Sequence, residues 1–241
     1  MKCAAKLFLG LGKHMPCFAH SINLVVNYTI KEINLFTRIL DKIKRIVMHF
    51  KHSTAMMDQL RKAQIDEGTP EGKIRTLIQN VDTRWNYCVD MMESFLGLAN
   101  KVAVLLIQRS ERIKGLPQML SASELSVCRD LFSLLQPFKK ATEQISGEQY
   151  VTVSMVIPLI SLLENNIKKL NMETNEGKQA KEALVRNSEK RFQSFQQNKI
   201  LVKSSFLDPM FKKMYLSPLS VEDAILDGDL ITKEQRIATT L

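Results

Sequence analysis

CFAHSINLVVNYTIKEIN, residues 17–34, is the stretch whose reading decides the fold. Ile22, Val25, Val26, Ile30 and Ile33 recur at steps of three and four, so they line one side of a coil with 3.6 residues per turn, and His20 to Ile33 is expected to be an amphipathic helix. A Cys-x-x-His pair, Cys17 and His20, runs directly into it. The period continues outward. Over 35–62, Phe36, Ile39, Leu40, Ile43, Val47 and Phe50 share one face, which predicts a second helix. Arg38, Lys42, Arg45, His49 and His52 recur at the same steps on a different face and make a basic stripe. DEGTPEG at 66–72 breaks the pattern and reads as a loop.

Further along, Thr83 is placed to cap a helix that carries Trp85, Met91, Met92, Phe95, Leu98 and Val102 and ends near Gln108. Ser121 and Glu124 have capping-box spacing, so another helix starts there with Leu125, Cys128, Leu131, Phe132 and Leu135 on its apolar face. Pro137 is expected to bend it, because proline lacks an amide donor and crowds the preceding turn. SGEQYVT at 146–152 reads as a turn. Helices are expected at 153–171, with Val156, Leu159, Ile160, Leu163, Ile167 and Leu170 inward, and at 176–198, with sparser apolar positions at Ala180, Leu184, Phe192 and Phe195. At the other end, 1–9 reads as a short helix closed by Gly10 and Gly12. His14 to Phe18 reads as a weak strand with no partner to pair with. The tail from Ser217 carries no core signal and is expected to fray.

Composition agrees with a helical chain. Of 241 residues, 45% are hydrophobic, enough for a sizeable core, and nine glycines with seven prolines leave little turn chemistry for a β-sandwich. The twelve methionines suit gap-filling between helices. Cysteines at 3, 17, 88 and 128 lack paired spacing, and no secretory cleavage pattern follows LFLGLG at 7–12, so free thiols in a reducing compartment are expected. No run approaches the roughly 18 apolar residues of a membrane span. The net charge of +9 is unevenly spread: residues 1–62 hold 11 Lys/Arg against three acids, and the rest hold 23 against 22. A basic amino-terminal quarter beside a near-neutral remainder fits a surface that faces nucleic acid.

Four ordered blocks carry a family resemblance: CFAH with the helix after it, DTRWNYCVDMMESF at 82–95, LFSLLQPFKKATEQISGEQYVTVSMVIPLISLL at 131–163 and FLDPMFK at 206–212. Together they resemble hAT-superfamily transposases and their BED-finger relatives. The resemblance implies a mainly α fold: a helical bundle corresponding to the end of an RNase H-like core plus the helical insertion of hAT transposases, with at most one short residual strand. It divides the chain into 1–108, a core remnant with a basic part at 1–62; 109–216, an insertion-like region; and 217–241, a frayed tail. Such enzymes hold divalent metal ions on three carboxylates. Met1 resembles the Met of the family's Asp-Asn-x-x-Asn-Met element, and the Glu-bearing block is not recognisable before Leu241. The expectation is therefore a chain without the catalytic carboxylates, the BED finger or the dimerisation segment, with no catalytic residue, no metal and no cofactor.

The family-motif positions are Cys17, His20, Arg84 and Trp85. Cys17 and His20 have the spacing of half a zinc site but lack a recognisable second half, and the simpler reading is a buried cysteine beside a helix-start histidine. Arg84 and Trp85 could grip a phosphate or stack on a base, whereas Trp85 equally suits a buried core anchor. Asp82 has no second carboxylate beside it. FLDPMFK carries Met210 where the family usually has arginine, and Asp208 reads as a turn residue rather than a metal ligand. Arg38, Lys42, Arg45, Arg84 and Trp85 are the candidate DNA contacts. The functional expectation is a transposase-derived, catalytically inactive nuclear fragment that binds DNA or a protein, with no membrane role. Its rivals are a truncated piece of an active transposase and a purely helical interaction module.

Overall fold

A computed structural model describes residues 16–79, 85–110, 115–146, 153–211 and 214–215. The expected helix at 1–9, the tail from Ser217 and residues Asp82 to Arg84 lie outside them. Eight α-helices follow in chain order: α1 Phe18–Glu32, α2 Asn34–Lys51, α3 Thr54–Asp66, α4 Asn86–Ser110, α5 Ala122–Ile145, α6 Val156–Lys169, α7 Asn175–Gln196 and α8 Lys199–Leu207. There is no strand among the described residues. Pro16 and Cys17 have no regular structure and Phe18 already opens α1, so the strand considered for 14–18 does not reach Phe18; His14 and Met15 lie outside the described residues.

Two compact units emerge, one from described residues within Met1–Val25, Lys140–Lys169 and Val185–Leu241, the other from Val26–Lys139 and Leu170–Leu184. In the second unit α2, α3 and α4 pack against one another. Phe36, Ile39, Leu40, Ile43, Ile46, Val47 and Phe50 are the buried seam of α2, the face expected from its period with Ile46 added. Each fully buried side chain of this kind contributes about 1.5–3 kcal/mol. Met91 and Met92 of α4 and Met56 of α3 are fully buried, the gap-filling role that suits an unbranched side chain.

The single helix expected over 35–62 is instead two. Ser53 has extended backbone, φ −125° and ψ 104°, and its hydroxyl accepts a hydrogen bond from the Met56 amide at 3.3 Å, which caps a new helix. The capping box at the start of α5 forms as expected: the Glu124 amide donates to Ser121 Oγ at 3.2 Å and the Ser121 amide to Glu124 Oε2 at 2.9 Å. That helix continues past Pro137 to Ile145. Between α3 and α4, Glu71–Lys73 form a single 3-10 turn and Leu77 is fully buried. Gln64 holds this segment in place: its amide nitrogen donates to the Arg75 carbonyl at 3.0 Å and its oxygen accepts from the Arg75 amide at 2.9 Å. Ser94 Oγ accepts from the Ile78 amide at 2.9 Å.

A distant side chain secures the start of α7. Asp130, 5% exposed, accepts from the Thr174 amide at 2.8 Å, the Thr174 hydroxyl at 2.7 Å and the Glu173 amide at 3.2 Å. Thr174 Oγ1 accepts in turn from the Gly177 amide at 2.9 Å. A Cβ at position 177 would lie 2.3 Å from Asp130 Oδ2, so this approach requires glycine.

In the first unit α6 and α8 pack together, and Ser205 Oγ donates to the Ser154 carbonyl at 2.7 Å. Phe18 sits with ring centroids 5.3 Å from both Phe192 and Phe195. The helix expected to run to 198 stops at Gln196 because Asn198 Oδ1 accepts from the Ile200 and Leu201 amides at 2.9 and 3.3 Å and starts α8, an element missed from the sequence. Asp208 forms the expected turn: its carboxylate accepts from the Met210 amide at 2.9 Å. Hydrogen bonds from the Ser154 side chain and that amide hold its carboxyl below the usual range.

Candidate nucleic-acid interface

Opposite its buried seam, α2 presents the basic stripe. Arg38, Arg45 and His52 are exposed, and among the described residues neither arginine has an acidic partner. Lys42 is already committed: its ammonium lies 2.6 Å from Glu124 Oε1. Glu124 thus closes the capping box and neutralises one lysine, and the Lys42 and Ser121 hydrogen bonds hold its carboxyl below the usual range. The stripe is therefore not a uniform row of cations. Its two free charges are Arg38 and Arg45, seven residues and about 10 Å apart along the axis.

A second element turns part of the stripe into a cleft. Residues Gly115 to Gln118 lie against the end of α2, and Gly115 adopts φ +86°, a left-handed value that a side chain disfavours. A cleft of about 570 Å³ is lined by Lys42, Arg45, Met48, His49 and His52 on the helix and by these four residues on the turn. His49 Nε2 is enclosed and has no hydrogen-bond partner. Nearly all enclosed polar atoms in folded proteins are paired, so an orphan in the wall of a cationic cleft is informative. The basic period pointed to His49. The turn wall was signalled only by Gly115 and Pro117, as chain punctuation, and its packing on α2 is not written in any local pattern.

The other candidate residues are elsewhere. Cys17 and His20 are both exposed at the start of α1, so Cys17 is not the buried thiol that the simpler reading expected. The described residues contain no group of three or more His, Cys, Asp and Glu side chains gathered to hold a metal ion. Arg84 lies outside the described residues. Trp85 is half-buried in the turn ahead of α4, where its carbonyl accepts from the Cys88 amide at 2.9 Å. It is not the fully buried anchor that one reading required, because Cys88, Val89, Met91, Met92 and Phe95 already fill the core side of that helix. Burial pushes the Cys88 thiol up to about 12, against a smaller downward pull from Lys44, and Cys128 likewise to about 12. Thiols so raised are poor nucleophiles.

Comparison with known proteins bears on the same region. Residues 15–134, which contain α1 to α4, most of α5 and the whole cleft, match the ZBED1 RNase-like helical domain. Zinc finger BED domain-containing protein 4 of Homo sapiens is 25% identical over 168 residues, covering 69% of this chain and 14% of that protein. Putative AC transposase of Zea mays is 27% identical over 205 residues, 84% of this chain and 24% of its own length. Zinc finger BED domain-containing protein 6 of Homo sapiens is 25% identical over 233 residues, 93% of this chain and 22% of its own length. The chain thus spans a quarter or less of the curated relatives it matches. No solved structure matches it. No described helix is long and apolar enough to cross a membrane. The ordered motifs, the all-helical fold and these matches together make the chain a member of the hAT-transposase-derived family of BED-finger-like proteins, with its ZBED1 RNase-like helical domain at residues 15–134.

Proposed function

We propose that this chain is a transposase-derived nuclear protein that binds DNA through the basic face of α2 and does not itself cut or join strands. One observation carries the reading. Arg38 and Arg45 are exposed, have no acid partner among the described residues and share one face of α2 with the cleft, whereas Lys42 is paired with Glu124, Arg61 with Glu71, Lys101 with Glu67 and Lys139 with Asp90. Exposed lysines elsewhere, Lys31, Lys51 and Lys62 among them, are also unpaired among the described residues but do not line up on that face. Guanidinium groups left in water and spaced along one helix face are suited to phosphate oxygens. Catalytic inactivity is proposed of these 241 residues alone, in which none of the family's carboxylate-bearing elements is recognisable. The nuclear assignment follows from a DNA partner.

Titration of a short duplex against the purified chain at several salt concentrations tests the binding. Log affinity should fall linearly with log salt, and Arg38→Ala with Arg45→Ala should flatten that slope by about 0.9 per lost phosphate contact. Salt-independent binding, or none, rejects the reading. Incubation with Mg²⁺ or Mn²⁺ and a nicked or hairpin-prone duplex should leave the DNA intact; cleavage that persists through purification rejects catalytic inactivity. A protein-interaction role has its own support in Val104 and Ile107, 52% and 68% exposed within one turn of α4.

A further inference from the structure

Three clefts in the second unit differ in charge. One of about 370 Å³ between α3 and α4 carries Asp66 and Glu67 beside Lys62 and Lys101. Another of about 530 Å³ carries Glu124 and Glu176 beside Lys42. The cleft between α2 and the 115–118 turn has no acid among the described residues of its wall. Glu124, the acid bound to Lys42, is not among its lining residues, and neither is Asp41, exposed on α2 between Arg38 and Arg45.

Resting on the DNA-binding reading, we infer that this cleft seats one phosphodiester group of a nucleic-acid backbone, with Arg45 supplying the charge and His49 and His52 the hydrogen bonds. The chemistry fits an oxyanion. Arg45 carries a permanent charge and five N–H donors, and among the described residues no acid is paired with it. An imidazole Nε2 donates when it carries the ring proton; the His49 ring lines the cleft while its Nε2 is enclosed without a partner, a costly state that turning the ring towards a phosphate oxygen in the cleft would end. His52, one turn beyond Met48, brings a second imidazole to the same wall. The positive φ of Gly115 lets the turn close the far side. Free phosphate has the same chemistry as the diester. The polymer is favoured because Arg38 continues the cationic face outside the cleft, where only a chain of phosphates could use both arginines.

The experiment follows the His49 ring nitrogens by NMR in the full chain, titrated with a short DNA duplex and separately with inorganic phosphate. Arg45→Ala and His49→Gln are compared with the parent, and their melting temperatures are recorded. The expected result is a duplex-dependent shift of His49 Nε2 and a loss of duplex affinity of about tenfold in each variant, at unchanged melting temperature. A duplex that binds with the ordinary salt slope but leaves His49 unmoved overturns the inference and leaves the DNA reading standing. A His49 shift with inorganic phosphate, without any salt-dependent duplex binding, overturns both the DNA reading and the diester and assigns the cleft to free phosphate. No shift with either ligand overturns the site altogether. If His49→Gln lowers the melting temperature, the exposed Arg45→Ala decides: an unaffected affinity there overturns the inference.

Discussion

Two polar clusters of the same unit are built to opposite standards. At the start of α7, the Asp130 carboxylate is buried and accepts three hydrogen bonds, Thr174 passes one on, and Gly177 clears the space they need. On α2, Arg38 and Arg45 face water without acids and His49 Nε2 is enclosed without a partner. A closed network has its needs met inside the fold and contributes to stability; an open one leaves groups that water or a ligand can take. The difference separates residues that hold the structure from those available to a ligand.

The comparison breaks most readily at Asp130. Asp130→Ala removes the acceptor for two backbone amides and a hydroxyl and should cost about 3 kcal/mol in denaturant unfolding, with duplex affinity unchanged. Gly177→Ala should cost about 2 kcal/mol, since the new Cβ meets the carboxylate. In the double variant the two losses should fall short of additive, because the missing carboxylate makes room for the methyl group. Full additivity would mean that the close approach is not the reason for the glycine. Trp85→Ala should also cost about 2 kcal/mol, below the loss typical of a fully buried indole, as befits its half-buried position.

Smaller effects sharpen the contrast. Glu124 has a lowered carboxyl pKa in the fold, so its contribution is present above the unfolded carboxylate range and is lost as the pH falls through the folded value. Glu124→Gln should therefore remove some acid sensitivity, measured as unfolding free energy against pH, by about 1 kcal/mol for a partly exposed pair. Arg38→Ala with Arg45→Ala should change stability by less than about 0.5 kcal/mol while altering the salt slope of DNA binding. A stability loss above about 1 kcal/mol would show that the two arginines support the fold, and the open cluster would lose its meaning.

Local pattern was sufficient where one element settles the outcome alone. The buried seam of α2 follows from a period of three and four between apolar residues, and the capping box of Ser121 and Glu124 from their spacing. The caps at Ser53 and Asn198 were present as residue types but were overridden by apolar periodicity running across them, so one break and the separate α8 went unread. The basic stripe was legible as a row, because a helix brings positions three and four apart together whatever surrounds them.

Only the tertiary structure decided what the row is worth. Lys42 meets Glu124 across 82 positions of sequence, and Asp130 meets Thr174 across 44, distances over which no periodicity acts. Packing of the 115–118 turn on α2 turned part of the exposed stripe into a cleft, with Arg45 and His49 in its wall and no acid among its described lining residues. By itself, then, the sequence determined most of the helices, the buried face of α2 and the family, since these rest on local spacing and on ordered motifs. On α5, Leu125 and Phe132, expected inward, are only half-buried, and Val127, Leu134 and Phe138 fill the core instead. Which charges are neutralised and which stay open depends on side chains that the fold brings together from far apart in the chain, because the energy of a charge is set by its neighbours in space.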